Sequence, residues 1–484
     1  MREFSMDPPL NGLSAKVKKV SISGIKYTKS DVLNKIISNL FIVNNFSELI
    51  CKSLETRENL IKFGVFNSVD IKFANVNDHS SKYEVIFDVE ERGPIGFGVN
   101  TLIGNYDNSL SSFLKIPNVM GRGENVNLNL SYNSQKFLGF NAGLAKPLFF
   151  KDLLCSNLSL NLFNNALDYT WSNLFKVEKG ISLMLQNNLT KYLNYTLGFE
   201  TCWRHASGRK EFTPFTIREQ YGHSLKTSFK HSINIDTRDN LFLPTRGVFL
   251  KFQQEFARTG LLKIGANFVK TQCDFHYNVP LPPALLDTVI QFTLGSGIIV
   301  QSNYNAKSEA NFRPVHLMDK FFLGGPLTFR GFTLGGLGPH AYGQALGIDS
   351  YWSSGIHAYT PLPFIKNNYK LFSHYLRIHS FANIGSIGNF IIPHLIGDDD
   401  IPNSSLTSLE SPKNNGFTNN NNGDSLNNVW GQMHDNIRIS VGTGLVLNFG
   451  NMARCEFNYT LYNKTGRTDK INSGLQMGIG IDFS

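Results

Sequence analysis

From Ile95 onward the chain follows one rule: polar and apolar residues alternate, segment after segment, to the C-terminus. Val126, Leu128, Leu130 and Tyr132 alternate with Asn127, Asn129, Ser131 and Asn133, and Cys455, Phe457, Tyr459 and Leu461 with Arg454, Glu456, Asn458 and Thr460. Successive side chains of a strand point to opposite faces, so each segment sets an apolar face against a polar one. A soluble β-sandwich shares the alternation, but a charged and amide-rich face on so many strands argues for a wet lumen with lipid outside. Hydrophobic residues make up 41% of the chain, yet no run reaches the roughly 18 apolar residues of a spanning helix. The best candidate, Val289–Val300, is broken by Gln291, Thr293, Gly295, Ser296 and Gly297. Among spanning structures only helices and closed barrels satisfy every backbone group in lipid, so the chain is either a soluble protein or a closed barrel. The spacing predicts ten strands before a glycine-rich loop, a short one at Leu317–Leu323 and five after the loop, about sixteen antiparallel strands in all.

Charge and cysteine usage exclude other classes. The net charge of +9 is dispersed, without the dense basic patch of a nucleic-acid groove. The five cysteines form no Cys-x-x-Cys and the histidines show no ligand spacing, so neither a metal nor a disulfide framework is expected. Residues 1–16 read as a flexible tail, with Asp7 and Pro8–Pro9 where a cleavable signal would have its apolar core. The expectation is a eukaryotic barrel made in the cytosol and imported into an organelle. Residues 403–428 are Asn-rich and of low complexity, and are expected to form a disordered loop.

Residues 17–92 have a different period. A first strand carries Val20 and Ile22, then Ile25 and Tyr27 beyond Gly24. Ser30 is placed to cap a helix with Val32, Leu33, Ile36, Ile37 and Leu40 at helical spacing. A second helix from about Asn45 presents Phe46, Leu49, Ile50, Leu54, Leu60 and Ile61 and stops at Gly64. Strands at Ser68–Phe73 and Tyr83–Glu90 follow. The order β-α-α-β-β and the segment Leu60-Ile-Lys-Phe-Gly-Val-Phe-Asn-Ser-Val69 resemble a polypeptide-transport-associated (POTRA) domain. Another small α/β adaptor has the same order, and topology does not fix function.

Phe321-Phe-Leu-Gly-Gly-Pro-Leu-Thr-Phe-Arg-Gly-Phe332 interrupts the strands. Gly324, Gly325 and Gly331 let the loop fold close to a wall of side chains. Arg330, between Phe329 and Gly331-Phe332, then presents a rigid fork of donors that needs partners if buried. A loop over about 324–350, tucked into the lumen of a barrel spanning 93–484, is the expectation. No nucleophile, base or carboxylate pair accompanies Arg330, so no catalytic residue, cofactor or small-molecule substrate is assigned.

This stretch resembles the loop-six signature of the outer-membrane barrel-insertase superfamily, the group of the central BAM subunit. Asp236-Thr-Arg-Asp-Asn with Leu243-Pro-Thr-Arg-Gly247, Tyr351–Phe364, Asn383-Ile-Gly385 and Leu447–Glu456 are similar to its mitochondrial branch, the barrel subunits of the sorting and assembly machinery. The resemblance runs from Val17 to Ser484, and one POTRA unit fits that branch. It implies a non-enzymatic protein of the mitochondrial outer membrane, with the POTRA unit in the intermembrane space. Its partners would be unfolded β-barrel precursors, accessory subunits of the assembly complex and lipid.

The resemblance also implies a gate between the first and last strands. An exposed first-strand edge is a template for an incoming strand. Here that edge is Gly96, Phe97, Gly98, Val99, Asn100, Thr101 and Leu102, in a first strand expected to run Gly96–Gly104. The last strand, Leu475–Phe483, carries Gln476, Gly478, Ile481 and Phe483, similar to the sorting signal of mitochondrial barrel precursors. In bacterial relatives the loop arginine meets acidic wall residues. The matching positions here are His357 and Asn383, neither an acid, and strand parity offers Glu456 as a further partner for Arg330. A translocating channel of the same superfamily and a passive diffusion pore are the alternatives.

Overall fold

The computed structural model describes residues 14–480 except 76–81, 94, 104–107, 135, 151–152, 210–211, 261–266, 283–286, 302–313, 363–374, 389–436 and 450–452. The Asn-rich stretch 403–428, Ile481 and Phe483 therefore lie outside the described residues.

At the N-terminus, β1 (Lys16–Ser23), α1 (Ser30–Ile37), a 3-10 turn (Ser38–Ile42), α2 (Phe46–Lys62), β2 (Phe66–Asn75) and β3 (Lys82–Glu91) form a POTRA-like α/β unit. The sheet order is β1-β3-β2, with β1 parallel and β2 antiparallel to the central β3. Val85 and Phe87 of β3 are fully buried against Leu33, Ile36, Leu49 and Leu60 of the helices. Three details differ from the sequence expectation. The first strand ends at Ser23 because Gly24, at φ +91°, turns the chain, leaving Tyr27 exposed. Lys29, not Ser30, occupies the N-cap of α1. The buried stripe of α2 runs Leu49, Ser53, Thr56, Leu60, while Leu54 and Ile61 are exposed. Steps of three and four residues keep one helix face, and two small polar residues complete it where apolar ones were expected.

The remaining strands form one antiparallel sheet of sixteen. Eleven precede the loop: β4 (Gly96–Ile103), β5 (Asn108–Pro117), β6 (Asn125–Asn133), β7 (Leu138–Phe150), β8 (Leu153–Tyr169), β9 (Leu174–Asn188), β10 (Leu193–Gly208), β11 (Gly222–Asp236), β12 (Gly247–Thr259), β13 (Asn267–Pro280) and β14 (Val289–Gln301). A one-turn helix, α3 (Phe215–Arg218), lies between β10 and β11. The loop contains a two-residue hairpin, β15 (His340–Ala341) with β16 (Gln344–Ala345). After it come β17 (Ser350–Pro361), β18 (Leu376–Gly388), β19 (Arg438–Asn448), β20 (Arg454–Lys464) and β21 (Leu475–Gly480). Leu317–Leu323 is not a strand. Leu317–Asp319 forms a 3-10 turn, and Phe321 and Leu323 make only isolated bridges within the loop. Polar Asp319 interrupts the alternation there because it serves an inward contact described below.

Apolar side chains face outward around the sheet: Phe97, Leu130, Leu162, Phe199, Phe256, Phe292, Ile356, Leu445 and Met477 are all exposed. A belt of that extent is not a water-facing surface. With the sixteen-stranded sheet, that belt makes the fold an all-β transmembrane barrel; among the described residues no helix is long and apolar enough to cross a membrane.

The α/β unit grips the turn between β5 and β6. Lys29 N–H donates to the Gly121 carbonyl at 2.8 Å, Asn118 Nδ2 donates to Thr28 Oγ1 at 2.9 Å, and Arg122 Nε meets Asp31 Oδ2 at 3.0 Å. Gly121 has φ +83°, and a Cβ there would lie 2.6 Å from the Tyr27 carbonyl oxygen. A side chain at this position is strained and collides with the joint. Gly121→Val is therefore expected to release the unit from the turn, seen as a broadened distance distribution between spin labels at Glu55 and Lys136. An unchanged distribution would show that these bonds do not hold the joint.

Candidate functional site

The loop from Pro314 to Asp349 reaches across the barrel and is pinned to two sides of the wall. At its tip, Arg330 is buried. Its Nε and Nη2 both donate to Glu456 Oε2, at 3.0 and 2.8 Å. Glu456 is fully buried on β20 and also accepts from Asn458 Nδ2 at 2.8 Å, while Arg454 Nη2 stands 2.5 Å from its other oxygen. The carboxylate is thus shared by two guanidinium groups. Arg454 extends the network through Tyr359 Oη (2.7 Å) and the Phe242 carbonyl (3.0 Å). Through Phe242, the turn between β11 and β12 is tied to the same cluster. Within that turn, Arg238 is clamped by Asp236 and lies 4.2 Å over the Phe249 ring.

Of the two positions that the resemblance implied, His357 lies beside Arg330 and Asn383 makes no hydrogen bond to it among the described residues. Arg330 Nη1 is 3.5 Å from His357 Nδ1, but that nitrogen is 3.2 Å from His379 Nε2. Asn458 donates to Glu456, which fixes its carbonyl toward His379 Nδ1 at 2.8 Å. With both rings neutral, His379 donates from Nδ1 and accepts at Nε2, and the Nδ1–H of His357 points to His379 rather than offering a lone pair to Arg330. The two rings form a chain of donors ending on Glu456. Asn383 is buried beside them, with its Nδ2 unpartnered and no hydrogen bond to Arg330 among the described residues. Glu456 holds the arginine.

A second pin was not foreseen. Asp319, at the entry to the loop, accepts from Arg204 Nη1 with both oxygens at 2.9 Å and from Lys226 Nζ at 2.6 Å. Its backbone carbonyl accepts from Lys270 Nζ at 2.8 Å. Arg204, Lys226 and Lys270 stand on β10, β11 and β13, across the barrel from β20. The sequence signal was present: one acid inside the apolar run Val315–Leu323, and basic residues at inward-facing strand positions.

Between the pins the loop packs and pairs. Phe329 and Phe332 are buried edge to face, with centroids 5.5 Å apart, against Leu337. The Gly331 carbonyl accepts from Asn463 Nδ2 and Asn472 N–H, both at 3.0 Å, and Thr333 N–H donates to Lys470 at 3.1 Å. Gly331 has φ +87°, and a Cβ there would lie 2.4 Å from Asn463 Oδ1. The loop is therefore laid along the connection between β20 and β21. Gly324, also at positive φ, turns against the Thr333 carbonyl, and Gly325 N–H donates to Phe329 O at 3.2 Å.

The first and last strands are the two edges of the sheet, and no ladder joins them among the described residues. β4 pairs only with β5, from Gly96↔Lys115 to Ile103↔Asn108, and β21 only with β20, over six residue pairs. Phe97 and Val99 face outward, while Gly98 lies beneath the Phe113 ring of β5, where a Cβ would be 2.4 Å from it. Asn100, Thr101 and Leu102 continue the unpaired edge. Gln476 and Gly478 face the loop.

These features define an outer-membrane barrel of the kind that handles other proteins: a POTRA-like unit in front, a loop pinned inside and a seam with no ladder among the described residues. The comparisons with known proteins agree. The Omp85 superfamily domain matches residues 118–483. The chain is 32% identical to the sorting and assembly machinery component 50 homolog of Bos taurus over 96% of this chain and 90% of that protein. It is 31% identical to the Homo sapiens homolog over the same shares, and 30% identical to the SAM50-like protein CG7639 of Drosophila melanogaster over 98% and 96%. A Haemophilus ducreyi BamA structure lacking POTRA domains 1-3 superposes with a TM-score of 0.70 at 17% identity, over 96% of this chain and 85% of that one, a likeness of fold. The chain belongs to the Omp85 superfamily, in its sorting and assembly machinery component 50 branch. That is a family of non-enzymatic outer-membrane insertion and transport barrels, and a β-barrel insertase role follows from membership.

Removing one partner of a buried ion pair strands the other charge, at a cost of about 3–5 kcal/mol. Asp319→Asn leaves Arg204 and Lys226 without their carboxylate, and Glu456→Gln leaves Arg330 and Arg454 without theirs. Each substitution is expected to expose the loop to limited proteolysis in the folded barrel and to lower the unfolding temperature in detergent. Protection equal to that of the unsubstituted chain would refute the two-pin description.

Proposed function

We propose that the protein recognises the terminal strand of β-barrel precursors at the β4 edge and releases the new barrel into lipid through the gap between β4 and β21. The observation that carries this is the pair of unjoined edges. A row of unpaired backbone donors and acceptors is the standard template for strand addition. Backbone pairing supplies affinity without a covalent step. The setting is the mitochondrial outer membrane, with the POTRA-like unit in the intermembrane space. The partners are unfolded barrel precursors, accessory subunits of the assembly complex and lipid.

The pinned loop fits this reading better than a diffusion pore, which has no use for a lumen crossed by Phe329, Arg330 and Phe332. A translocating channel would share the loop but route its client through the lumen. Cysteines at Val99 or Asn100 are expected to crosslink to the last strand of an arrested porin precursor, and cysteines at lumenal Gln272 or Thr293 are not. Crosslinks confined to the lumenal positions would replace insertion with translocation. Under the same reading, Arg330→Ala frees the loop from Glu456 and slows porin assembly several-fold. Equal assembly by mitochondria carrying Arg330→Ala would remove the loop from the mechanism.

A further inference from the structure

On the outer wall, strands β10 to β13 set two rows of side chains in register. Thr201 pairs with Thr227, Thr227 with Arg258, and Arg258 with Asn267. Two residues farther from the rim on every strand, Phe199 pairs with Phe229, Phe229 with Phe256, and Phe256 with Val269. Paired residues share a face of the sheet, as do residues two apart on one strand. Phe199, Phe229 and Phe256 belong to the exposed outward belt, so the Thr-Thr-Arg-Asn row faces outward as well. A groove of about 420 Å3 runs over both rows, lined by Phe199, Thr227, Phe229, Phe256, Arg258 and Val269 among others.

Depth in the membrane decides what this groove can hold. Arg258 is the penultimate residue of β12 and Asn267 the first of β13, so the polar row meets the rim of the sheet. Trp203, two residues beyond Thr201 toward that rim, is exposed on the same face, as a side chain at the membrane–water boundary is. Arg258 is exposed there, and neither of the two rows contains a carboxylate. Arg209, near the same rim, is by contrast committed: it meets Asp168 at 3.0 Å and lies 5.5 Å over the Phe175 ring. A guanidinium at headgroup depth, above a row of phenylalanines, faces an anion joined to an apolar chain.

We propose that β10 to β13 carry a phospholipid-binding site. Arg258 takes the phosphodiester through its planar fork, with the Thr227 hydroxyl and the Asn267 amide as further donors. An acyl chain lies in the groove over Phe199, Phe229 and Phe256, where burial of its methylenes adds affinity. Charge complementarity and the lipid-facing position select this occupant, because the phosphodiester is the anion that a bilayer supplies at that depth. The site is independent of strand addition. Six strands separate β10 from the β4 edge, and six follow β13 to the β21 edge. A lipid held there fixes the far wall of the barrel in the bilayer and leaves both edges free.

The test is native mass spectrometry of the full chain in detergent, titrated with dioleoyl phosphatidylglycerol. The chain is expected to retain the phospholipid, and Arg258→Gln to weaken retention by about tenfold. Lys179→Gln, which removes an exposed outward charge on β9, is expected to leave retention unchanged. Dioleoylglycerol has the same chains without the phosphate and should not be retained. Glycerophosphoglycerol, the headgroup without chains, should not compete at equal concentration. Equal retention of dioleoylglycerol, or competition by the bare headgroup, would overturn the site, the first as unspecific greasiness and the second as a plain anion site. Equal retention by Arg258→Gln would overturn the role of the arginine and with it the proposal. In mitochondria, p-benzoylphenylalanine in place of Phe256 should give a phospholipid adduct on irradiation, and labelling of a polypeptide instead would overturn the choice of occupant. The lipid series on the unaltered chain decides the matter even if Arg258→Gln does not fold.

Discussion

The Glu456 carboxylate is the interaction on which the interior depends. An isolated ionised carboxylate is costly to bury, and two guanidinium groups with an amide offset that cost only if all three stay in place. Arg330 ties this carboxylate to the loop, and Arg454 ties it to Tyr359 and to the turn between β11 and β12. Asn458 ties it to the paired histidines. Because these ligands come from distant parts of the chain, the loop cannot move without exchanging partners at Glu456. The second cluster, around Asp319, makes the entry to the loop equally committed. A segment held at both ends is a rigid crossbar, and its small backbone features can then serve as reference points.

The rigidity of the loop contrasts with the looseness of the seam. Inner strands of the sheet have ladders on both sides, whereas β4 and β21 have one each. Among the described residues, the free backbone groups of β4 and β21 therefore lie along one line. That line lies beside the pinned loop, whose Gly331 and Phe332 are bonded to Gln476 of β21.

Much of this was legible in the sequence. Period-two alternation gave the barrel and a total of sixteen strands, though with ten rather than eleven before the loop, because lipid outside and water inside impose opposite demands on every second residue. The Leu317–Leu323 segment was misread as a strand: its apolar run imitates one, and its single acid is explained only by basic residues more than ninety positions away. The partner of Arg330 was half legible. Parity placed Glu456 in the lumen, but only coordinates rank it above His357, whose ring nitrogen is turned into a donor by a hydrogen-bond chain through Asn458. In α2, Ser53 and Thr56 hold buried positions that a purely apolar stripe would have passed over. Long-range polar contacts are what a one-dimensional pattern carries least well.

The grip of the α/β unit on the turn between β5 and β6 has a mechanical meaning. β4 hangs from that unit by two routes, one covalent through Arg92–Ile95 and one through β5, whose lower end runs into the held turn. Two attachment points on one rigid body make a lever. A tilt of the unit about the turn pulls β4 and β5 by different amounts, and so applies shear to the edge strand itself. A load on the N-terminal unit is thereby carried to the edge strand as well as to the turn that the unit grips.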